Sequence, residues 1–357
     1  MKIAVGMSGG VDSSMVAHLL VNQGHEVTGI TMSIWDGTFY STGKHACFGP
    51  DEKEEIEMAA EICRQLGIPF HVFRCAEQYR ETVLKNFRHE YLAGNTPNPC
   101  IICNQKIKLA LLPGLARKSG LIFDKFATGH YARIGFDNKN KRYLLKKGLD
   151  NKKDQSYFLY RLSQQQLSEL MFPLGEMTKE EVKNLARSAG LAVADKKESQ
   201  DFYAGDYKDL LNINEQKGEI VFVDGKKLGE HQGFWNYTIG QRKGLGVAYS
   251  EPLYVTAIDS IRNRVIVGTS AHLIRKSFSV HDLNWIATDI IHEPVEAAVK
   301  IRSAQREIPA VINPLNDKEV MVTLPAGGDA ITPGQSAVFY MQDIVLGGGI
   351  INNSIPE

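Results

Sequence analysis

Residues 6–14 read GMSGGVDSS, between a short apolar run, Lys2–Val5, and a helical pattern over Ser13–Gln23. Gly9 and Gly10 permit a tight turn and a close backbone approach to a ligand. Ser8, Ser13 and Ser14 supply hydroxyls, and the helix that follows offers unpaired N–H groups at its positive dipole end. With Gly6, Met7 and Val11 completing the turn, these residues make an anion cradle sized for phosphates. Asp12 stands where a cation on those phosphates, such as Mg²⁺, would be met. Neither GK[ST] nor GxGxxG is present, so this is not a Walker or a dinucleotide loop. The plain alternative is a glycine turn with a capped helix.

A second kind of chemistry lies in TPNPCIICNQ, residues 96–105. Pro97 and Pro99 predict a stiff loop over Asn98–Cys103, with a helix starting near Asn104. A thiol at a helix N-terminus gains stabilisation of its thiolate, the reactive form, against an ordinary pKa of about 8.5. Cys100 and Cys103 form one CxxC, and no second pair exists for a four-cysteine zinc site. Redox exchange lacks a thioredoxin-like surround. A three-cysteine iron–sulfur site would need Cys47, in the loop His45–Pro50, to fold beside Cys100 and Cys103. A buried structural pair is the plain reading. Cys63 shares a helix face with Ile56 and Ala60 and reads as core, while Cys75 carries no signal.

Alternating strand-like and helix-like segments must position these residues. After the first strand and helix come a strand at Glu26–Ile34 and a helix at Asp51–Leu66, whose acidic start suits the dipole. A strand at Phe70–Phe73, helices at Gln78–Leu92 and Asn104–Ser119, a strand at Lys125–Thr128 and a helix at Thr178–Ala189 follow. That alternation predicts an α/β fold with a parallel sheet. Ligands of such sheets gather at the carboxyl ends of strands, where Gly29–Met32 and Ala127–Tyr131 lie. From about Lys217 the segments shorten and alternate between Gly, Asn and Asp, which predicts small β-barrels or sandwiches. The predicted domains are 1–205, 206–275 and 276–357.

Lys plus Arg equals Asp plus Glu at 41 each, so any RNA contact must use a local basic surface. Residues 139–153, with seven basic side chains and one acid, offer one. No membrane-spanning run or signal peptide is recognisable. Five cysteines, an odd number, argue for thiols in a reducing cytoplasm rather than a disulfide framework.

SGGxDS after the first strand resembles the PP-loop of ATP pyrophosphatases. Taken in order with TPNP…CN, ATGHYAR, LDNKKDQSYFLY, GEHQG, GQRKGLG and PGQSAVFY…LGGGII, it resembles the tRNA-specific 2-thiouridylases. That resemblance implies a PP-loop domain, a small central domain and a C-terminal β-barrel. It implies that ATP adenylates the 2-oxygen of the wobble uridine of tRNA and that sulfur then displaces AMP. Gly6–Ser13 and Met32 would hold ATP, with Gly129 beside it. Asn98, Pro99 and Cys100 would frame a flipped base, and Cys103 matches the family's nucleophile. Lys153, Asp154 and Gln155, with His130, Arg302, Ser303 and Gln335, would contact tRNA.

One departure bears on the sulfur step. Better-known members carry a second cysteine in a Ser-Thr-Gly-x-Cys segment, where this chain has Glu198–Tyr203, placing Tyr203 at the cysteine. Tyrosine carries no sulfane sulfur. Two replacements are open: a [4Fe–4S] cluster on Cys47, Cys100 and Cys103, or Cys100 and Cys103 as persulfide and resolving thiol. Either needs a sulfur-donor protein or a sulfide source. A competing expectation keeps the PP-loop and changes the acceptor or the nucleophile.

Overall fold

The computed structural model describes residues 1–38, 46–194, 196, 201–203 and 205–352. Contacts divide the chain into two compact units, one of Met1–Leu84, Pro99–Leu210 and Asp343–Val345, the other of Lys85–Asn98, Leu211–Gln342 and Leu346–Glu357.

In the first unit the strands β1 (Lys2–Gly6), β2 (Glu26–Ser33), β4 (Phe70–Arg74), β5 (Lys125–Ala127) and β8 (Leu170–Met171) form a parallel sheet. Their order, β4-β2-β1-β5-β8, reverses direction at β1. A ligand crevice opens at such a reversal, beyond the carboxyl ends of the strands. Ile3, Ala4 and Val5 are buried in succession, as expected of a strand covered on both faces. Helices α1 (Val11–Asn22), α2 (Glu52–Gln65) and Lys179–Ser188 pack Val16, Leu20, Ile62, Cys63 and Val182 into the same core. Cys63 is fully buried, as its helix spacing predicts, and burial pushes its thiol up to about 12. Its sulfur lies where a β-carbon on Gly29 would come within 2.6 Å, so β2 can only pass with glycine there.

One local expectation is corrected. Asn98–Cys103 is not a loop up to Asn104: helix begins at Pro99, because proline lacks only a donor that the first helical position leaves unpaired anyway. The helix then passes into a π-helical stretch, Cys103–Leu111. Residues 132–147 are a β-hairpin, β6 (Ala132–Asp137) against β7 (Arg142–Lys147), turned by Lys141 at φ 53°. β6 alternates as ARIGFD, whereas β7 reads RYLLKK and does not. A short parallel pair, β3 (Ala46–Phe48) with β9 (Asp201–Tyr203), completes the unit.

The second unit is β-rich. Lys227–His231, Gly218–Phe222, Arg264–Gly268 and Tyr254–Asp259 form a four-stranded sheet in that order. Six further strands run Arg275–Trp285, Glu319–Gly328, Ile308–Asn316, Val295–Lys300, Ser336–Met341 and Ile344–Ile351, and the last pairs back onto the first. That closure makes a barrel, which removes exposed sheet edges. Val280, Val299, Ile312, Val322 and Phe339 fill it.

Candidate active site

β1 ends at Gly6, and the chain turns through Met7–Gly10 into α1. Gly9 has φ +67°, and a β-carbon on it would come within 2.4 Å of the Glu55 carbonyl oxygen. Glycine is therefore required twice, by backbone conformation and by the passage of α2. The Ser8 amide donates to Ser13 Oγ at 3.1 Å, and the two hydroxyls are also 3.1 Å apart. Ser13 and Ser14 hydroxyls donate back to the Gly10 carbonyl. Gly10 itself is extended (φ −102°, ψ 165°) and no side chain caps the helix, so its positive end stays available to an anion.

Gly129 closes the cradle from β5. A β-carbon there would sit 2.9 Å from Asp12 Cβ and 3.0 Å from the Ser13 amide nitrogen. On the other side β1 pairs with β2 only as far as Gly6 and Ile30, while β2 continues to Ser33. The β1-facing backbone edge of Thr31–Ser33 thus lies beyond the ladder, where an adenine edge could be read by Met32. The structure brings Gly6–Ser13, Met32 and Gly129 to one end of one sheet.

The lysines around this cradle were not singled out from the sequence. Lys179 Nζ lies 2.7 and 2.8 Å from the two carboxylate oxygens of Asp12, and its residue is only 7% exposed. The Tyr131 hydroxyl donates to Asp12 Oδ1 at 2.8 Å. Lys196 Nζ reaches the Gly9 carbonyl at 3.3 Å and Glu55 at 3.7 Å. Burial raises the Glu55 carboxyl above its ordinary value, with Lys196 opposing. One signal existed: Lys179 opens a helix, where the dipole disfavours a cation.

The thiols sit in the same unit. Cys100 and Cys103, three residues apart on one helix, share a face. Burial pushes the Cys103 thiol up to about 11, with Lys108 pulling the other way without prevailing. The expected lowering at a helix N-terminus is therefore corrected, since desolvation outweighs it. Burial also works against the Lys108 ammonium, but Cys103, Cys47 and Cys100 together hold its pKa above the ordinary lysine value.

The iron–sulfur expectation does not fit. Among the described residues no three His, Cys, Asp or Glu side chains gather closely enough to hold a metal ion. Cys47 is exposed on β3, whose alternate residues Ala46 and Phe48 face inward. Phe48 stacks on Tyr79 at 5.3 Å and meets Tyr203 at 6.1 Å, which holds the strand in place. Tyr203 is buried, donates to Asp209 at 3.2 Å and is raised by burial to about 12. Glu198, Ser199, Gln200 and His45 lie outside the described residues.

The residues expected to touch tRNA divide between the units. In the first, Asp154 accepts from the Gly148 and Ser156 amides and the Ser156 hydroxyl. Gln155 Oε1 accepts from the Tyr131 amide at 2.9 Å. Both side chains brace the loop that carries Lys153. His130 is buried and shares a 2.7 Å hydrogen bond with Thr128, and burial with nearby Lys108 lowers its pKa to about 3. In the second unit Gln335 Nε2 donates to the carbonyls of Thr96 (2.7 Å) and Pro97 (3.4 Å), just before Asn98. Arg302 donates to Ile239 O, Ala330 O and Thr332 Oγ1, next to a half-exposed Ser303.

Comparison with known proteins decides the family. Residues 1–203 match the tRNA methyl transferase HUP domain, 210–269 the PRC-barrel domain of that family, and 275–351 an aminomethyltransferase β-barrel domain. The tRNA-specific 2-thiouridylase MnmA of Endomicrobium trichonymphae is 49% identical, over 98% of this chain and 99% of its own. The chain belongs to the tRNA-specific 2-thiouridylase family. A second relative of the same name, from Acetivibrio thermocellus, is 43% identical over 98% of this chain and 99% of its own. As a 2-thiouridylase-family chain, this one keeps the phosphate cradle and the CxxC helix in one compact unit. No helix among the described residues is long and apolar enough to cross a membrane.

Proposed function

We propose that the chain performs ATP-dependent 2-thiolation of the wobble uridine of tRNA. The observation that carries this is the SGGVDSS turn at the sheet's switch point, in the same unit as the Cys100–Cys103 helix. A phosphate cradle and a thiol on one scaffold suit activation of an oxygen by ATP and its replacement by sulfur.

Ser8, Gly9, Gly10 and Ser13 hold the phosphate chain through hydroxyls, backbone amides and the α1 dipole. Met32 and Gly129 bound the adenosine. Asp12 would offer the carboxylate oxygens a hard cation requires once the Lys179 ammonium has moved off them; Mg²⁺ bound there would neutralise charge on the departing pyrophosphate. The uridine 2-oxygen attacks the α-phosphorus, and pyrophosphate leaves. Asn98, Pro99 and Cys100 frame the base.

For the sulfur step the two-thiol route is favoured, because the three-cysteine ligand set does not form. A sulfur-donor protein leaves a persulfide on Cys100. Its terminal sulfur attacks C2, and AMP leaves with the C2–O bond. Cys103 then attacks Cys100 Sγ, so that 2-thiouridine departs and a Cys100–Cys103 disulfide remains. A dithiol reductant returns both thiols. Lys108 lies close enough to favour each thiolate in turn. Lys153, Asp154, Gln155, His130, Arg302, Ser303 and Gln335 serve tRNA, by contact or by holding the contacting loops. Domains at 1–205, 206–275 and 276–357 and a cytoplasmic location belong to the same proposal.

Incubation with tRNA, ATP, Mg²⁺, a persulfide-bearing sulfur donor and a dithiol reductant, followed by nucleoside mass spectrometry, tests it. ATP-dependent 2-thiouridine is expected. A different thiolated or amidated product would move the acceptor and leave the ATP chemistry in place.

A further inference from the structure

Lys179 is no part of the turn proposed to hold the phosphates, yet its ammonium meets Asp12 of that turn. Its residue is 7% exposed, it opens the helix Lys179–Ser188, and Tyr131 lies beneath its ammonium at 5.8 Å. Burial and the helix dipole both oppose a cation at that position. Thr178 and Glu181 close a capping box around it, and its amide donates to Asp150 at 3.0 Å, so the helix end is held in place from two sides.

Both oxygens of Asp12 face the Lys179 ammonium at 2.7 and 2.8 Å, and Oδ1 also accepts from Tyr131. A carboxylate engaged in this way has little to offer a divalent cation, and two cations in one small cradle repel each other. For metal to reach Asp12, Lys179 must turn to another anion. A four-carbon stem allows the turn. The nearest place for such an anion is the Ser8–Ser13 turn, whose hydroxyls and amides flank Asp12 itself.

We propose that Lys179 is a ligand for the phosphate chain of ATP which, until ATP arrives, occupies Asp12 and so withholds that carboxylate from the metal. This rests on the ATP chemistry proposed above. Metal and phosphate binding are thereby coupled: phosphate draws Lys179 off Asp12, and the freed carboxylate accepts the cation. Each charge keeps a partner before and after the exchange.

Inorganic pyrophosphate and Mn²⁺, each titrated alone into the full chain, separate the parts. In EDTA the wild type binds pyrophosphate, and Lys179→Met weakens that binding by about tenfold or more, the value of one lost charge-assisted contact. Mn²⁺ alone, followed by its paramagnetic resonance, binds Lys179→Met more tightly than wild type, because Asp12 is no longer taken. Asp12→Asn, which leaves Lys179 to the phosphates, keeps metal-free pyrophosphate binding at wild-type strength or better, and stands in if the methionine variant does not fold. Lys179→Arg restores most pyrophosphate affinity. Unchanged pyrophosphate affinity in Lys179→Met, or its loss in Asp12→Asn, overturns the proposal and leaves the ATP chemistry standing. A wild type that binds no pyrophosphate with or without Mg²⁺ overturns both.

Discussion

Gly129 lies so close to Asp12 that a β-carbon on it would sit 2.9 Å from Asp12 Cβ and 3.0 Å from the Asp12 carbonyl carbon. The carboxyl end of β5 therefore meets the first turn of α1 with no side chain between them. Gly129→Ala should push that turn outward. Overpacking of this kind costs about 1–3 kcal/mol, and the displaced amides should also weaken ATP binding. Thermal melts with and without ATP check it, since loss of the ATP-induced shift must exceed the loss in the free protein.

Asp12→Ala should abolish ATP-dependent chemistry while leaving tRNA binding intact. It removes the proposed cation contact and strands Lys179, so about 3–5 kcal/mol of stability should go with it. Pyrophosphate release and filter binding of tRNA on the same preparation separate the two. Normal turnover would refute the phosphate assignment.

Cys103→Ser should stop sulfur transfer yet leave adenylation detectable as tRNA-dependent pyrophosphate release. Cys63→Ala, in contrast, should lose only packing against Gly29 and its core neighbours, about 1–3 kcal/mol by analogy with other small deletions in cores, with thiolation preserved in the folded fraction. Nucleoside mass spectrometry on both variants makes the comparison.

The pH dependence follows from buried His130 and half-buried Cys103. His130 titrates near 3 in the fold and near 6.5 when unfolded, so the unfolded chain binds the proton first on acidification. Its contribution is complete above 6.5 and is lost as pH falls from there towards 3. Cys103 moves the other way, from 9.0 up to about 11, so its contribution is lost as pH rises across that interval. Urea midpoints should fall on both limbs, and His130→Gln should flatten the acid one. Alkylation of Cys103 in the ligand-free protein should be slow at neutral pH and quicken towards pH 11.

Gln335→Ala should loosen the Thr96–Pro97 segment by removing both donated hydrogen bonds. About 0.5–1.5 kcal/mol per bond is at stake. Weaker tRNA binding with an unchanged ATP Kd is the expected pattern, read by filter binding and calorimetry. A parallel loss of ATP affinity would refute the loop-holding role.

Much of the site was legible because it is local. Gly9, Gly10, Ser8 and Ser13 fall within six residues, and turn, cap and dipole are properties of neighbours in sequence. The helix of Thr178–Ala189 and the strand at Glu26–Ile34 could be read from periodicity for the same reason. The hairpin at 132–147 was hidden because β7 reads RYLLKK, which does not alternate, and its lysines and arginine have long stems that can cover apolar surface as well as reach water. Pro99 misled because proline both breaks and begins helices, and only its place at the first turn tells which.

By itself, then, the sequence determined the α/β fold class, the phosphate turn, the core place of Cys63 and the β-rich second half, since each depends on contacts between near neighbours. The tertiary structure decided the partners. Lys179 reaches Asp12 across 167 residues, and Tyr203 reaches Phe48 by pairing of β9 with β3. It also decided that burial, not the helix end, governs Cys103, because desolvation depends on everything packed around a group and on almost nothing beside it in the chain.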